Sequence, residues 1–463
     1  MKAQFTAGDI ARITRGRLVA GGSSLVSVGV STDSRLVRSG NLFVALKGER
    51  ADGHDFAREA LDKGAAGLLV SRRVEGLAIP EGRFAVLVED TLLALGDLAG
   101  AYRAAFDIPV VGVTGSVGKT TTKDLVAAVL ESRWNTLKSE GNYNTDLGLP
   151  LTLFKLEPGH GACVVEMAMR GLGEIARLAA IARPRVGVIT NIGVTHLELL
   201  GTVENIASAK GELLEALPPD GVAVLNGDDP WLGRLAARAR SRVIYYGLAE
   251  SWDFRAEDIR PEAFGVTSFT LVTPAGKQVV SLQLPGRHNV INAVAAAAVG
   301  TALGLTPEEI RRGIEAARPA GMRMEIREGQ GLLIINDAYN ASPASTRAAL
   351  VALRDLARGR RVAVLGNMLE LGEYALQGHR EVGAAAVENG VDLLVTVGEL
   401  ARYAGEEARV KGLLPRQVVI CADNHEAIAR LGELLARGDT VLVKGSRGMR
   451  MEQIVEALGK ISL

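Results

Sequence analysis

The run IPVVGVTGSVGKTTT, residues 108–122, decides the fold. Residues 110–113 are mostly β-branched and apolar, the pattern of a buried strand. Gly115 to Gly118 then turn the chain, and a helix starts at Lys119. Leu125, Val126, Val129 and Leu130 fall on one face of that helix. A strand, a glycine-rich loop and a helix in this order make a phosphate cradle. Backbone N–H groups of residues 114–121 (Thr114, Gly115, Ser116, Val117, Gly118, Lys119, Thr120 and Thr121) surround phosphate oxygens at a helix N-terminus. Lys119 supplies a point charge for the outer phosphates, and Thr120 offers a hydroxyl to Mg²⁺. Val113 stands where the common phosphate-loop pattern has its first glycine.

Strands at residues 162–166, 186–191, 222–226 and 243–247 alternate with helical segments, which implies a parallel sheet covered by helices. Residues 264–272 and 278–284, joined by TPAGK, predict an antiparallel hairpin added to it. In open parallel sheets, ligands bind beyond the carboxyl ends of the strands. Glu166 ends one strand and His196 follows another, so both are expected near the phosphates. A carboxylate with an imidazole suits a divalent cation between phosphate and substrate. Thr306 to Glu309 form a capping box with Pro307 at the first helical position, opening a helix to about residue 317. Lys210 lies on a helix after His196, and its local sequence is that of a surface lysine.

On the N-terminal side, the sequence predicts short strands and helices: a strand at 42–48, a helix at 57–64, a strand at 66–71 and a helix at 91–106. On the C-terminal side, RPAGM (residues 318–322) is a hinge. Beyond it, strands at 332–336, 362–365, 393–397, 418–421 and 440–443 alternate with helices. The expected architecture is α/β with three domains: an α/β domain at 1–101, a central phosphate-loop parallel sheet at 102–318, and a Rossmann-like domain at 319–463. The basic turn from Lys444 to Arg447, at a strand end, could take a carboxylate. The length of 463 residues and the 48% hydrophobic content suit several buried cores. The 53 basic and 53 acidic residues cancel, so there is no global field for nucleic acid or an anionic membrane. Cys163 and Cys421, both in apolar runs, are the only cysteines and do not make a disulfide framework. Asp9 interrupts any signal-like core, and the apolar run at 291–303 is too short to span a bilayer. The expectation is a cytoplasmic, monomeric enzyme with no nucleic-acid partner and no membrane insertion.

Seven central and C-terminal motifs occur in colinear order: TGSVGKTT (114–121), EGNYNTDLGLP (140–150), VVEMAMRGLGE (164–174), NIGVTHLE (191–198), SAKGE (208–212), GRHNVINA (286–293) and INDAYNASP (335–343). STDSR (31–35) and FVALKGERADGHDF (43–56) precede them, and KGSRGMRME (444–452) follows. Together they resemble the Mur ligase family, which makes amide bonds in peptidoglycan precursors. LGNMLELG (365–372) and the motif at 166–175 are most similar to the branch that adds D-alanyl-D-alanine to UDP-N-acetylmuramoyl-tripeptide. Leu172 and Asn367 depart from that branch, where Pro and Asp are expected.

The resemblance implies ATP and Mg²⁺ as cofactors, and the UDP-linked tripeptide and D-alanyl-D-alanine as substrates. It assigns Asp33, Ser34 and Arg35 to the UDP-sugar. It assigns Asn292 to adenine, Arg323 to the outer phosphates and Asp337 to the ribose. By the same likeness Lys210 is carbamylated and supports Mg²⁺, with Thr120, Glu166 and His196 completing the metal set. Lys119, Lys210, His196 and Arg323 are then the catalytic group. Asn144, Thr145, Arg170, Asn340, Ser342, Lys444 and Arg447 are assigned to substrate.

Overall fold

A computed structural model describes residues 3–49, 51–195, 197–262, 265–319 and 321–461. Its centre is a nine-stranded sheet. From one edge the order is Gly276–Leu282, Thr267–Thr273, Phe254–Pro261, Arg242–Gly247, Val222–Asn226, Val186–Ile189, Val110–Thr114, Ala162–Glu166 and Thr136–Lys138. The strands from Phe254–Pro261 to Thr136–Lys138 pair in parallel, and the hairpin joins antiparallel at the other edge. Every residue of Val110–Thr114 and of Ala162–Glu166 is buried. Burial on both faces explains why these strands carry unbroken apolar runs instead of alternation.

On one face, Val111 and Val113 pack with Leu125, Val126 and Val129 of the helix Lys119–Glu131 and with the alanine-rich helix Arg287–Ala302. On the other, Val110, Cys163 and Val165 pack with Ile175 and Leu178 of Glu174–Ala182 and Leu213 of Val203–Ala216. The alanine-rich run of this helix is therefore core. Among the described residues, no helix is long and apolar enough to cross a membrane.

Two smaller α/β units flank this sheet. The N-terminal one has a five-stranded sheet ordered Arg17–Ala20, Phe84–Leu87, Gly67–Val70, Leu42–Val44 and Val30–Ser31. The C-terminal one has six strands ordered Glu325–Gly329, Leu332–Asp337, Thr440–Lys444, Arg361–Gly366, Leu393–Val397 and Val418–Cys421. Only its first pair is antiparallel. The α/β class with a central parallel sheet is as the sequence implied.

The differences are local. The strand predicted at 42–48 ends at Val44. The Ala45 carbonyl is taken by the Thr91 hydroxyl at 2.9 Å, and Lys47 bridges Asp52 outside the ladder. Phe254–Pro261 and Glu325–Gly329 carry too many charges to show as strands in the sequence. The first also contains a register shift and Asp258 at φ +51°. The hairpin's first strand starts at Thr267, and Phe264, where it was expected to begin, lies outside the described residues. The capping box at Thr306 and Glu309 is present as read, and its helix ends at Ala316.

Candidate active site

The phosphate loop is built by two glycines. A Cβ on Gly115 would sit 1.9 Å from the Thr190 hydroxyl, and Gly118 has φ +85° immediately before the helix. The helix Lys119–Glu131 starts without a side-chain cap, so its first N–H groups are free to take an anion. Lys119 Nζ donates to the Gly115 carbonyl at 2.9 Å and the Ser116 carbonyl at 3.3 Å. Burial pushes its pKa down, and the Glu166 carboxylate opposes that shift. Thr120 Oγ1 donates to Glu166 Oε2 at 2.8 Å, and Asn144 Nδ2 donates to Glu166 Oε1 at 2.9 Å. The strands Val110–Thr114 and Ala162–Glu166 are adjacent, so the helix start and Glu166 meet at their carboxyl ends.

These groups line a cavity of about 1110 Å³. Ser116 to Thr121 and Glu166 form its floor. Asn144, Thr145 and Arg170 stand on one wall. His288, Asn289 and Asn292 come from the helix Arg287–Ala302. Arg323, Asp337, Asn340, Ser342 and Lys444 come from the C-terminal unit. The Arg323 guanidinium lies 3.9 Å from the Tyr339 ring centroid, a cation–π contact that leaves its N–H groups for other partners. Lys210 is only 2% exposed, and the described residues give it no ion pair. Burial drives its pKa well down, and the neighbouring Lys119 adds to the shift. A floor of free N–H groups, a lysine, a hydroxyl and a carboxylate can hold a polyphosphate with a hard cation.

Models of three families match along the chain: the "Mur ligase family, catalytic domain" over residues 27–103, the "Mur ligase middle domain" over 113–300, and the "Mur ligase, glutamate ligase domain" over 322–447. The chain is 40% identical over 432 residues to the UDP-N-acetylmuramoyl-tripeptide–D-alanyl-D-alanine ligase of Bacillus subtilis, covering 93% of each. It is 38% identical over 442 residues to the Escherichia coli enzyme of the same name, covering 94% of this chain and 95% of that one. The chain belongs to the Mur ligase family. A crystal structure of MurF from Acinetobacter baumannii matches with a TM-score of 0.92 at 33% identity, covering 99% of both chains. A MurF ligase from Thermotoga maritima in complex with ADP matches with a TM-score of 0.83 at 32% identity, covering 94% of this chain and 97% of that one.

In this Mur ligase several residues singled out in the sequence lie elsewhere or are already engaged. Asp33, Ser34 and Arg35 are not among the residues lining the cavity. Arg35 pairs with Asp33 at 2.7 Å, and Ser34 donates to Glu59 at 3.0 Å. Thr114 is fully buried and its hydroxyl donates to the Met167 carbonyl, so it is strand structure and not a ligand contact. The N–H groups of Ser116 and Val117 are spent on Asn191, which leaves the phosphate-binding donors to Gly118 and the residues after it. Lys444 is 3% exposed and bound to Asp337 at 2.5 Å and to the Asn340 carbonyl at 2.8 Å. It is therefore not a free cation awaiting a carboxylate. Arg447 lies outside the cavity lining and pairs with Glu452 at 3.0 Å. Ser342 is an N-cap, and its hydroxyl accepts from the Ser345 amide. His196 lies outside the described residues.

Sequence reading passed over His288, Tyr339 and Asn191. His288 lies inside GRHNVINA and Asn191 opens NIGVTHLE, so the motifs contained them. Their partners are distant in sequence, and nothing local marked them.

Proposed function

We propose that this Mur ligase joins D-alanyl-D-alanine to UDP-N-acetylmuramoyl-tripeptide at the expense of ATP. One observation carries the reading. The likeness to ligases of that name covers 93–94% of the chain, and within that chain Thr120 at the phosphate loop meets Glu166. The working units are residues 1–101 for the UDP-sugar, 102–318 for ATP and 319–463 for closure over nucleotide and acceptor. The reaction draws on ATP and a nucleotide-linked precursor, which places it in the cytoplasm.

The reaction needs no redox chemistry. A peptide carboxylate oxygen attacks the γ-phosphorus, and the bond to the β-phosphate oxygen breaks. ADP leaves and an acyl phosphate remains. The dipeptide amine then attacks the acyl carbon, loses a proton, and inorganic phosphate departs with the C–O bonding electrons. Two anions must meet in the first step, so positive charge at the phosphates is the main catalytic requirement. Lys119 and Arg323 both line the cavity and supply it. Asn292 faces Gly118, with its amide oxygen 3.0 Å from where a Cβ would lie, and so borders the nucleotide side of the loop. Enclosure between the central and C-terminal units keeps water from the acyl phosphate.

The donor set fits Mg²⁺. Among the described residues, no group of three His, Cys, Asp or Glu gathers to hold a metal. Mg²⁺ is usually held by one or two carboxylates, with phosphates and water completing the shell. Thr120 and Glu166 would hold it, and it would neutralise charge between the outer phosphates. The depressed pKa of Lys210 favours the neutral amine, the form that adds CO₂, so its carbamate would supply an anion beside Lys119, although Lys210 is not among the residues lining the cavity.

The test supplies ATP, Mg²⁺ and UDP-N-acetylmuramoyl-tripeptide and varies the amine. ADP release with D-alanyl-D-alanine, and little with lysine, diaminopimelate or D-glutamate, is expected. Turnover only with the UDP-linked dipeptide and a free diamino acid would move the chain to another branch of the family. ADP release with no carboxylate substrate would make it a simple NTPase.

A further inference from the structure

Val117 sits at the crown of the phosphate loop, and both of its backbone polar groups are bound by one side chain. Its N–H donates to Asn191 Oδ1 at 2.9 Å, and Asn191 Nδ2 donates to its carbonyl at 2.9 Å. A carboxamide is both donor and acceptor, so a single asparagine pairs with a residue as a neighbouring strand would. The Asn191 carbonyl also accepts from the Ser116 amide at 2.9 Å. Neighbours of Asn191 extend the clamp. Thr190 Oγ1 donates to the Val117 carbonyl at 2.6 Å, and the Ser116 hydroxyl exchanges hydrogen bonds with Gly193 at 2.8 and 3.1 Å. Lys119 Nζ rests on the Gly115 and Ser116 carbonyls of the same turn. A shift of the turn therefore moves both the helix start and the lysine.

We infer that Asn191 is the positioning residue of the phosphate loop: its carboxamide sets the height of Val117, and so the place of Lys119 and the free N–H groups of residues 118–121. The inference rests on reading this cavity as the ATP site of a ligase. Asn191 touches no phosphate by this account and acts through the turn. It also ties the loop to the segment running to Thr195, which lines the same cavity. That segment has its own supports. The Thr190 amide donates to Thr114, Asn226 Nδ2 donates to the Thr190 carbonyl at 3.1 Å, and the Ile192 amide donates to Asp229 at 2.7 Å. Removing the Asn191 carboxamide thus leaves the segment in place and releases the Val117 N–H, while the Val117 carbonyl keeps only the Thr190 hydroxyl.

The experiment compares Asn191→Leu and Asn191→Asp with the wild-type full-length chain. A misplacement of about 1 Å at a reacting site costs on the order of 100-fold, so kcat/KM for ATP should fall by about that factor in both variants. KM for ATP should rise, while KM for the tripeptide precursor and for D-alanyl-D-alanine holds. The Asp variant should recover relative to wild type as pH falls, because a protonated carboxyl regains the donor for the Val117 carbonyl. The Leu variant should not. In the ligand-free protein, hydrogen–deuterium exchange across residues 115–120 should quicken in Asn191→Leu. Wild-type kcat/KM for ATP in a folded Leu variant would overturn the inference. So would a uniform rise in all three KM values with a lowered melting temperature, which is what a merely structural residue gives. If the wild type released no ADP, the ligase reading would fall, and unchanged exchange in Asn191→Leu would separately remove the clamp.

Discussion

A buried lysine is where single-residue chemistry departs furthest from its sequence context. SAKGE reads as an exposed helical segment, yet Lys210 is 2% exposed and close enough to Lys119 to feel its charge. An ammonium in that position is penalised twice, by lost hydration and by like charge. The neutral amine avoids both, and a carbamate would turn the repulsion into attraction. Lys210→Ala is therefore expected to lose most turnover while keeping its fold. A small carboxylate added to the buffer should refill part of the gap. Wild-type activity measured after degassing should rise again with bicarbonate, whereas that of Lys210→Ala should not. If Lys210→Ala and Lys210→Glu both turned over normally, the lysine would have no part in the reaction. The phosphate loop was legible because its chemistry is written in consecutive residues. Lys210 was not, because its burial is set by packing of the helix Val203–Ala216 against the central sheet.

At the scale of elements, the pair Asp337–Lys444 joins two neighbouring strands of the C-terminal sheet. Leu332–Asp337 and Thr440–Lys444 run parallel, and the register sets their last residues side by side. Both strands were predicted from the sequence, but parallel neighbours carry no local sign of their register. The sequence therefore left Asp337 and Lys444 as separate candidates for two different ligands. Their contact changes that reading, since Asp337 Oδ1 also accepts from the Met324 amide at 3.2 Å, next to Arg323. One carboxylate thus links the strand pair to the segment that carries Arg323. Breaking a buried pair from one side costs about 3–5 kcal/mol, because an uncompensated charge is left behind. Lys444→Met should lower stability by that order in denaturant unfolding of the ligand-free protein. Adding Asp337→Asn to it should restore part of the loss. Equal stability of Lys444→Met and wild type would show that the pair contributes nothing.

Across the whole molecule, the cavity depends on two units meeting, and His288 stands at the junction. It belongs to the helix Arg287–Ala302 of the central unit, and the charges acting on it are Asp337 and Lys444 of the C-terminal unit. Burial lowers its pKa to about 4, with Asp337 opposing and Lys444 assisting. The unfolded chain returns it to about 6.5. Between those values the unfolded state binds more protons than the folded state, so stability falls as pH falls. The contribution is whole above about pH 6.5, and it is lost as pH drops through the folded value of about 4. Melting temperature measured from neutral pH downward should decline through this window. His288→Gln, which cannot take the proton, should show a shallower decline than wild type. His379 is also held low by burial, but it is common to both proteins, so the difference between the two curves isolates His288. Parallel curves would mean that His288 is not held neutral at the junction. A steeper wild-type curve would show that protonating the buried His288 costs the folded state stability.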